Sequence, residues 1–166
     1  MNTSSYWIKN LDLQKHPEGG WYKEVYRSGE VIPGGSIQPT FTEDRNCSTS
    51  IYYLLERKDF SSFHRIKSDE IWHYYEGTSS VEIVSIEENK IRIQKLGNNP
   101  EKEESFQVLV KANTWFAARL NNKEGFALTG CTVSPGFHFD DFEMADENLL
   151  NEFPHLNKEI IELLRK

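Results

Sequence analysis

The chain has 166 residues and a formal net charge of −7. That is enough for one domain with a real core, and too acidic for a nucleic-acid or anionic-membrane face, which needs a basic surface. Aromatic residues make up 13% of it, so the apolar content leans on large rings, which suits a sheet interior or a ring-lined pocket.

The first ten residues carry no apolar signal region, and no stretch reaches the ~18 apolar residues of a membrane span. The two cysteines, Cys47 and Cys131, form no CxxC pair and no disulfide scaffold, so a reducing cytoplasm is the expected location. A short helix is expected near residues 11–15. His16-Pro17-Glu18-Gly19-Gly20 follows, with glycines that read as a turn launching the first strand. Alternation over residues 21–27 puts Tyr22, Glu24 and Tyr26 on one face. Residues 29–47 are long for a connection in a compact domain and read as a lid or a partner contact. Short strands are predicted at 48–55, 61–66, 71–75, 81–86, 91–96, 106–110, 114–120 and 126–133, separated by Gly, Asn and Pro punctuation. Asp146 is a predicted N-cap for a helix over 147–153. Beyond Pro154, Leu156, Ile160, Leu163 and Leu164 fall at helical spacing. The pattern predicts an all-β barrel or sandwich, one domain over residues 1–166, with strands at about 21–143 and helices at 146–166.

Residues 62–77, SFHRIKSDEIWHYYEG, hold the densest chemistry. Two histidines, His64 and His73, flank Asp69 and Glu70. Period-two alternation gives Ser62, His64 and Ile66 one face of the first strand. In the next, Glu70, Trp72 and Tyr74 share a face, opposite Ile71, His73 and Tyr75. Only a bulge would bring His73 to the side of Glu70. Asp69 reads as a turn-shaping residue, Arg65 as an outer-face ion-pair partner, and the acids of residues 140–147 as a solvated run. Cys131 lies on a strand that could line the interior.

The spacing His64, Ile66, Glu70, Gly77 resembles the first motif of the cupin superfamily, G-x5-H-x-H-x3-E-x6-G. VKANTWF, residues 110–116, is similar to the second motif, with Lys111 at the proline, Asn113 at the glycine and Phe116 at the histidine position. The runs HPEGGWYKEVYRS, STSIYYLL, FHRIKSDEIWHYYEG and GCTVSPGFHFDDFE together resemble the cupin-5 (DUF985) family. That resemblance implies a double-stranded β-helix, or jelly-roll barrel, and a homodimer.

It also frames the chemistry. A cupin metal takes about three imidazoles and a carboxylate, and here Ile66 and Phe116 replace two of them. His64, Glu70 and His73 are therefore weak metal candidates, and no cofactor is expected. The chain is also similar to metal-free cupin sugar epimerases, which imply His64 as a general base; Glu70 stands where those enzymes have a stabilising lysine. The expected site is His64 and Glu70 in a pocket lined by Trp72, His73, Tyr74 and Phe116, joined by Glu24 and Tyr26. The first functional reading is binding of a small polar ligand, a sugar or nucleotide-sugar. The alternatives are a metal-independent isomerase or epimerase and, third, a metal-dependent cupin enzyme.

Overall fold

Alternation of inward and outward side chains builds the two large sheets of the computed structural model, which describes residues 2–36 and 41–165. The strands run β1 (Gln14–Lys15), β2 (Trp21–Arg27), β3 (Val31–Ile32), β4 (Arg45–Asn46), β5 (Thr49–Glu56), β6 (Phe60–Ile66) and β7 (Asp69–Gly77). They continue with β8 (Val81–Glu87), β9 (Lys90–Leu96), β10 (Glu104–Ser105), β11 (Gln107–Val110), β12 (Phe116–Leu120), β13 (Phe126–Ser134) and β14 (Phe142–Met144). One six-stranded sheet has the order β1-β2-β5-β13-β7-β11, and the other β10-β9-β8-β12-β6-β14. The sheets are open and face each other as a jelly roll, with Tyr53, Trp72, Val108 and Cys131 of the first packed on Val81, Ile83, Phe116 and Leu120 of the second.

Short helices seal the outer faces. Helix α1 (Ser4–Asn10) is capped by the Thr3 side chain. Its Trp7 and Ile8 cover Leu54, Phe126 and Leu128 of the first sheet. This helix lies upstream of the 11–15 position expected from the sequence, which is a turn leading to β1; Asp12 there has φ 55°. Helices α2 (Asn148–Glu152) and α3 (Asn157–Ile161), with the turns that join and follow them, lay Leu149, Leu156, Ile160 and Leu163 on Phe63, Val84 and Ala117 of the second sheet. The Asp146 carboxylate accepts the Asn148 N–H at 2.8 Å in the turn before α2, but the N-cap position itself falls to Glu147, which makes no side-chain cap bond.

Two expectations change here. The segment at 29–47 carries the β3–β4 ladder; the part of the expected lid at residues 37–40 lies outside the described residues. Asp141 is not on a solvated face. It is buried, with the Arg45 guanidinium bonded to both carboxylate oxygens and Lys67 at 3.3 Å. Burial raises its carboxyl, but hydrogen bonding from Arg45 prevails and holds it below the usual range.

Candidate functional site

One end of the space between the sheets opens into a cavity of about 540 Å³, within the roughly 300–1,000 Å³ of small-molecule sites. His16, Glu18, His64, Glu70 and Cys131 line it, with Thr49 and Ile51 beside them and Phe137, Phe139 and Phe142 on another wall.

Strand geometry delivers His64 and Glu70. His64 pairs with inward Phe116 across β6–β12, and the ladder then shifts so that Ser61, not Ser62, faces Ala118. This bulge frees the Ser62 hydroxyl to donate to the Leu163 carbonyl at 2.9 Å. The Ser62 carbonyl holds His64 Nδ1 at 2.7 Å, so Nδ1 carries a proton. His64 Nε2 lies 3.1 Å from Glu18 Oε2, with both side chains buried. With Nδ1 already a donor, that contact needs one proton between ring and carboxylate, on whichever partner. The Phe116 ring, 4.2 Å from the imidazole, backs it.

Glu18 is the residue that sequence reasoning undervalued. Its backbone N–H donates to His16 Nδ1 at 3.2 Å, which makes His16 a neutral Nε2–H tautomer. Burial, offset by the Glu18 charge, lowers the His16 pKa and favours that neutral form. The HPEGG run was the available signal: a histidine and an acid directly before a strand that enters the site. Gly20 has φ 72°, so its glycine does serve a turn, and the same turn carries the chemistry.

Glu70 points inward from β7 and is buried. Burial is the main cause that pushes its carboxyl up to about 8, and the Glu18 carboxylate adds to it; the Cys131 thiol and Trp72 indole oppose the rise. At neutral pH Glu70 is therefore mostly a neutral acid able to donate a hydrogen bond. The Cys131 thiol is raised by burial and by the Glu70 charge, so it is a poor nucleophile.

The remaining expected residues divide. Glu24 lines the cavity and forks onto Arg27 at 2.9 and 2.7 Å. Tyr26 does not join it: the β2–β5 register shifts between Glu24 and Tyr26. Tyr26 is left 54% exposed, and Arg27 takes the inward place. His73 is on the outer face, where Nε2 meets Thr132 Oγ1 at 3.0 Å and Nδ1 meets the Gln107 amide at 3.2 Å. The β13–β7 shift lies at Leu128/Thr129, beyond His73, and so does not turn it inward. Trp72, Tyr74 and Phe116 belong to the packed core beneath the cavity rather than to its wall.

The donor set does not fit a four-ligand metal centre. Buried Ile66 and Phe116 occupy two ligand positions, His73 faces away, and both His64 nitrogens are engaged. Among the described residues no group of three or more His, Cys, Asp or Glu is arranged to hold a metal.

Facing jelly-roll sheets, the His64–Glu70 spacing and a cavity at one end define a cupin. The model of the Cupin superfamily family DUF985 matches residues 5–145, and the chain belongs to that family. An uncharacterized protein of Saccharomyces cerevisiae, YML079W, is 31% identical over 144 residues, covering 81% of this chain and 71% of the relative. A hypothetical protein from Leishmania major has a TM-score of 0.89 at 28% identity, over 99% of this chain and all of that one. Protein SO0799 from Shewanella oneidensis has a TM-score of 0.87 at 35% identity, over 99% of each chain. At the level of fold alone, a cupin 2 domain-containing protein from Halorhodospira halophila has a TM-score of 0.57 at 12% identity, over 92% of this chain and 88% of that one.

Proposed function

We propose that the cavity binds a small uncharged ligand of sugar size, rich in hydroxyl and carbonyl groups, with Glu18 and His64 acting together as its proton-exchanging pair. The observation that carries this is the 3.1 Å contact between Glu18 and His64, both of which line the cavity. The wall charges are internally matched: Arg27 with Glu24, and Glu18 with His64 through their shared proton. Glu70, with its pKa raised to about 8, is mostly neutral at pH 7. Among the described lining residues Arg27 is the one lysine or arginine, and it already serves Glu24, Asn46 and the Phe137 carbonyl. A free sugar therefore suits the cavity better than the diphosphate of a nucleotide-sugar or a small dicarboxylate such as oxalate, the substrate of the cupin-fold oxalate decarboxylases.

A second reading, metal-free isomerisation, draws on Glu70. An ionised carboxylate would repel an enolate, but a neutral carboxyl donates to it. In such a step the shared proton sits on His64 Nε2, the Glu18 carboxylate takes the proton next to the ligand carbonyl and later returns it to carbon, and neutral Glu70 donates to the oxygen that gains charge. His64 serves as the partner of that carboxylate rather than as the base, since its Nδ1 is a donor and its Nε2 faces Glu18. The homodimer and the reducing compartment, where Cys47 and Cys131 stay thiols, are part of the same proposal.

A thermal-shift screen of neutral sugars and keto-sugars, with glucuronate and oxalate as charged comparators, tests the binding. A neutral ligand at about 100 times its dissociation constant adds roughly 2.7 kcal/mol, and Glu70→Ala removes that gain. Stabilisation by the anions alone would contradict the proposal. Incubation of the binders in deuterated water tests the second reading. Exchange next to the carbonyl that is unchanged in Glu18→Gln and His64→Ala would contradict it.

A further inference from the structure

The Glu18–His64 pair is held from behind by a distant part of the chain. Leu163 accepts the Phe63 N–H at 3.0 Å and the Ser62 hydroxyl at 2.9 Å. The Arg165 N–H donates to the same hydroxyl at 3.1 Å. The Arg165 side chain then reaches the other member of the pair. Its Nε donates to the Glu18 carbonyl at 2.9 Å, and Nη2 donates to the Phe60 carbonyl at 2.8 Å and to the Asp59 carboxylate. Asp59 in turn accepts the Gly20 N–H at 3.1 Å.

These bonds converge on two backbone units. Ser62 carries the carbonyl that orients His64, and its N–H donates to the Glu18 carbonyl at 2.9 Å. Gly19 has φ 116°, and a Cβ there would run into the Phe60 carbonyl and the Arg165 guanidinium. The glycine is thus what lets the guanidinium close on this turn.

We infer that residues 163–165 form a clamp that sets the geometry of the Glu18–His64 pair, with Arg165 as its positioning residue. This rests on the reading of that pair as the proton-exchanging group of the cavity. The family match ends at residue 145, so the clamp comes from outside the matched region. A site described by that region alone is missing the guanidinium that fixes Glu18. One guanidinium spans two carbonyls and a carboxylate in a planar fork, which a lysine cannot reproduce.

The test needs no ligand, so it stands apart from the outcome of the ligand screen. Ring-nitrogen correlations of ¹⁵N-labelled protein report the protonation pattern of each histidine. The native protein should show one fixed pattern for His64 with Nδ1 protonated. Arg165→Ala should lose it to a mixture of tautomers, and Arg165→Lys should restore it in part. Leu156→Ala, which removes core packing under the same helices, should lower the melting temperature and leave the His64 pattern intact. If Arg165→Ala does not fold, Asp59→Asn, which loosens the same guanidinium, replaces it with the same expectation. A native His64 pattern in Arg165→Ala, or equal disturbance in Leu156→Ala, would overturn the clamp.

Discussion

The two ends of the space between the sheets are built from the same strands and end in opposite ways. On β7, Glu70 lines the cavity, whereas Trp72 and Tyr74 are locked in the core. On β5, Thr49 and Ile51 line the cavity and Tyr53 and Leu55 pack; on β13, Val133 and Cys131 line it and Ala127 packs. Exposure does not separate the ends, since Glu70 at 7% and Tyr74 at 8% are equally buried. What differs is whether facing side chains fill the space. At the packed end Val81, Ile83, Leu96 and Phe116 close it. At the other end Thr49, Glu70 and Cys131 leave room that the wall of Phe137, Phe139 and Phe142 does not fill, and the polar groups answer one another across it. A buried carboxyl beside an unfilled volume can meet a ligand; one in a filled core has only its own neighbours.

The largest expected effect is at the packed end. Phe116→Ala should cost about 4 kcal/mol of stability in denaturant unfolding, because a fully buried ring is lost between the sheets. A cost below about 1 kcal/mol would mean that this end is not packed as described.

The open end should show itself through pH. The folded-state pKa of Glu70 is raised from 4.5 to about 8, so the folded state holds the proton after the unfolded chain has released it. The stability from the neutral carboxyl is complete below pH 4.5 and is lost as pH rises to about 8. The loss should be on the order of a few kcal/mol. Glu70→Gln should flatten this slope in a series of unfolding curves. An unchanged slope would place Glu70 in the solvated class instead.

The smallest effect belongs outside both ends. His73→Ala removes outer-face contacts to Thr132 and Gln107. It should change stability by about 1 kcal/mol or less and leave ligand-induced stabilisation as in the native chain. A lost ligand response would put His73 back in the site.

Much of this was legible in the sequence because alternation and spacing are local. The 21–27 strand and the inward set Glu70, Trp72 and Tyr74 follow from period two, and His64 and Glu70 from motif spacing. Bulges were not legible. Period two assumes a uniform pleat, so it put Tyr26 inside, where the structure has Arg27, and gave Ser62 the face of His64. Contacts between distant segments were hidden as well. Asp141 read as solvated because its partner, Arg45, lies 96 residues away. Glu18 read as part of a turn because His64 and Arg165 reach it only in the folded chain. The spacing also could not say which end of a strand is filled, so Trp72, Tyr74 and Phe116 were expected to line a pocket that they instead close off.

The charge state of Glu70 is the most direct test of the open end as a neutral ligand cavity. Side-chain carboxyl ¹³C shifts followed by NMR from pH 5 to 10, with Glu70→Gln to assign the signal, read it without a ligand. A protonated carboxyl at pH 7 that titrates near pH 8 is the expected result. A Glu70 signal already ionised at pH 6 would contradict it, leaving a fixed negative charge where a neutral hydrogen-bond donor is required.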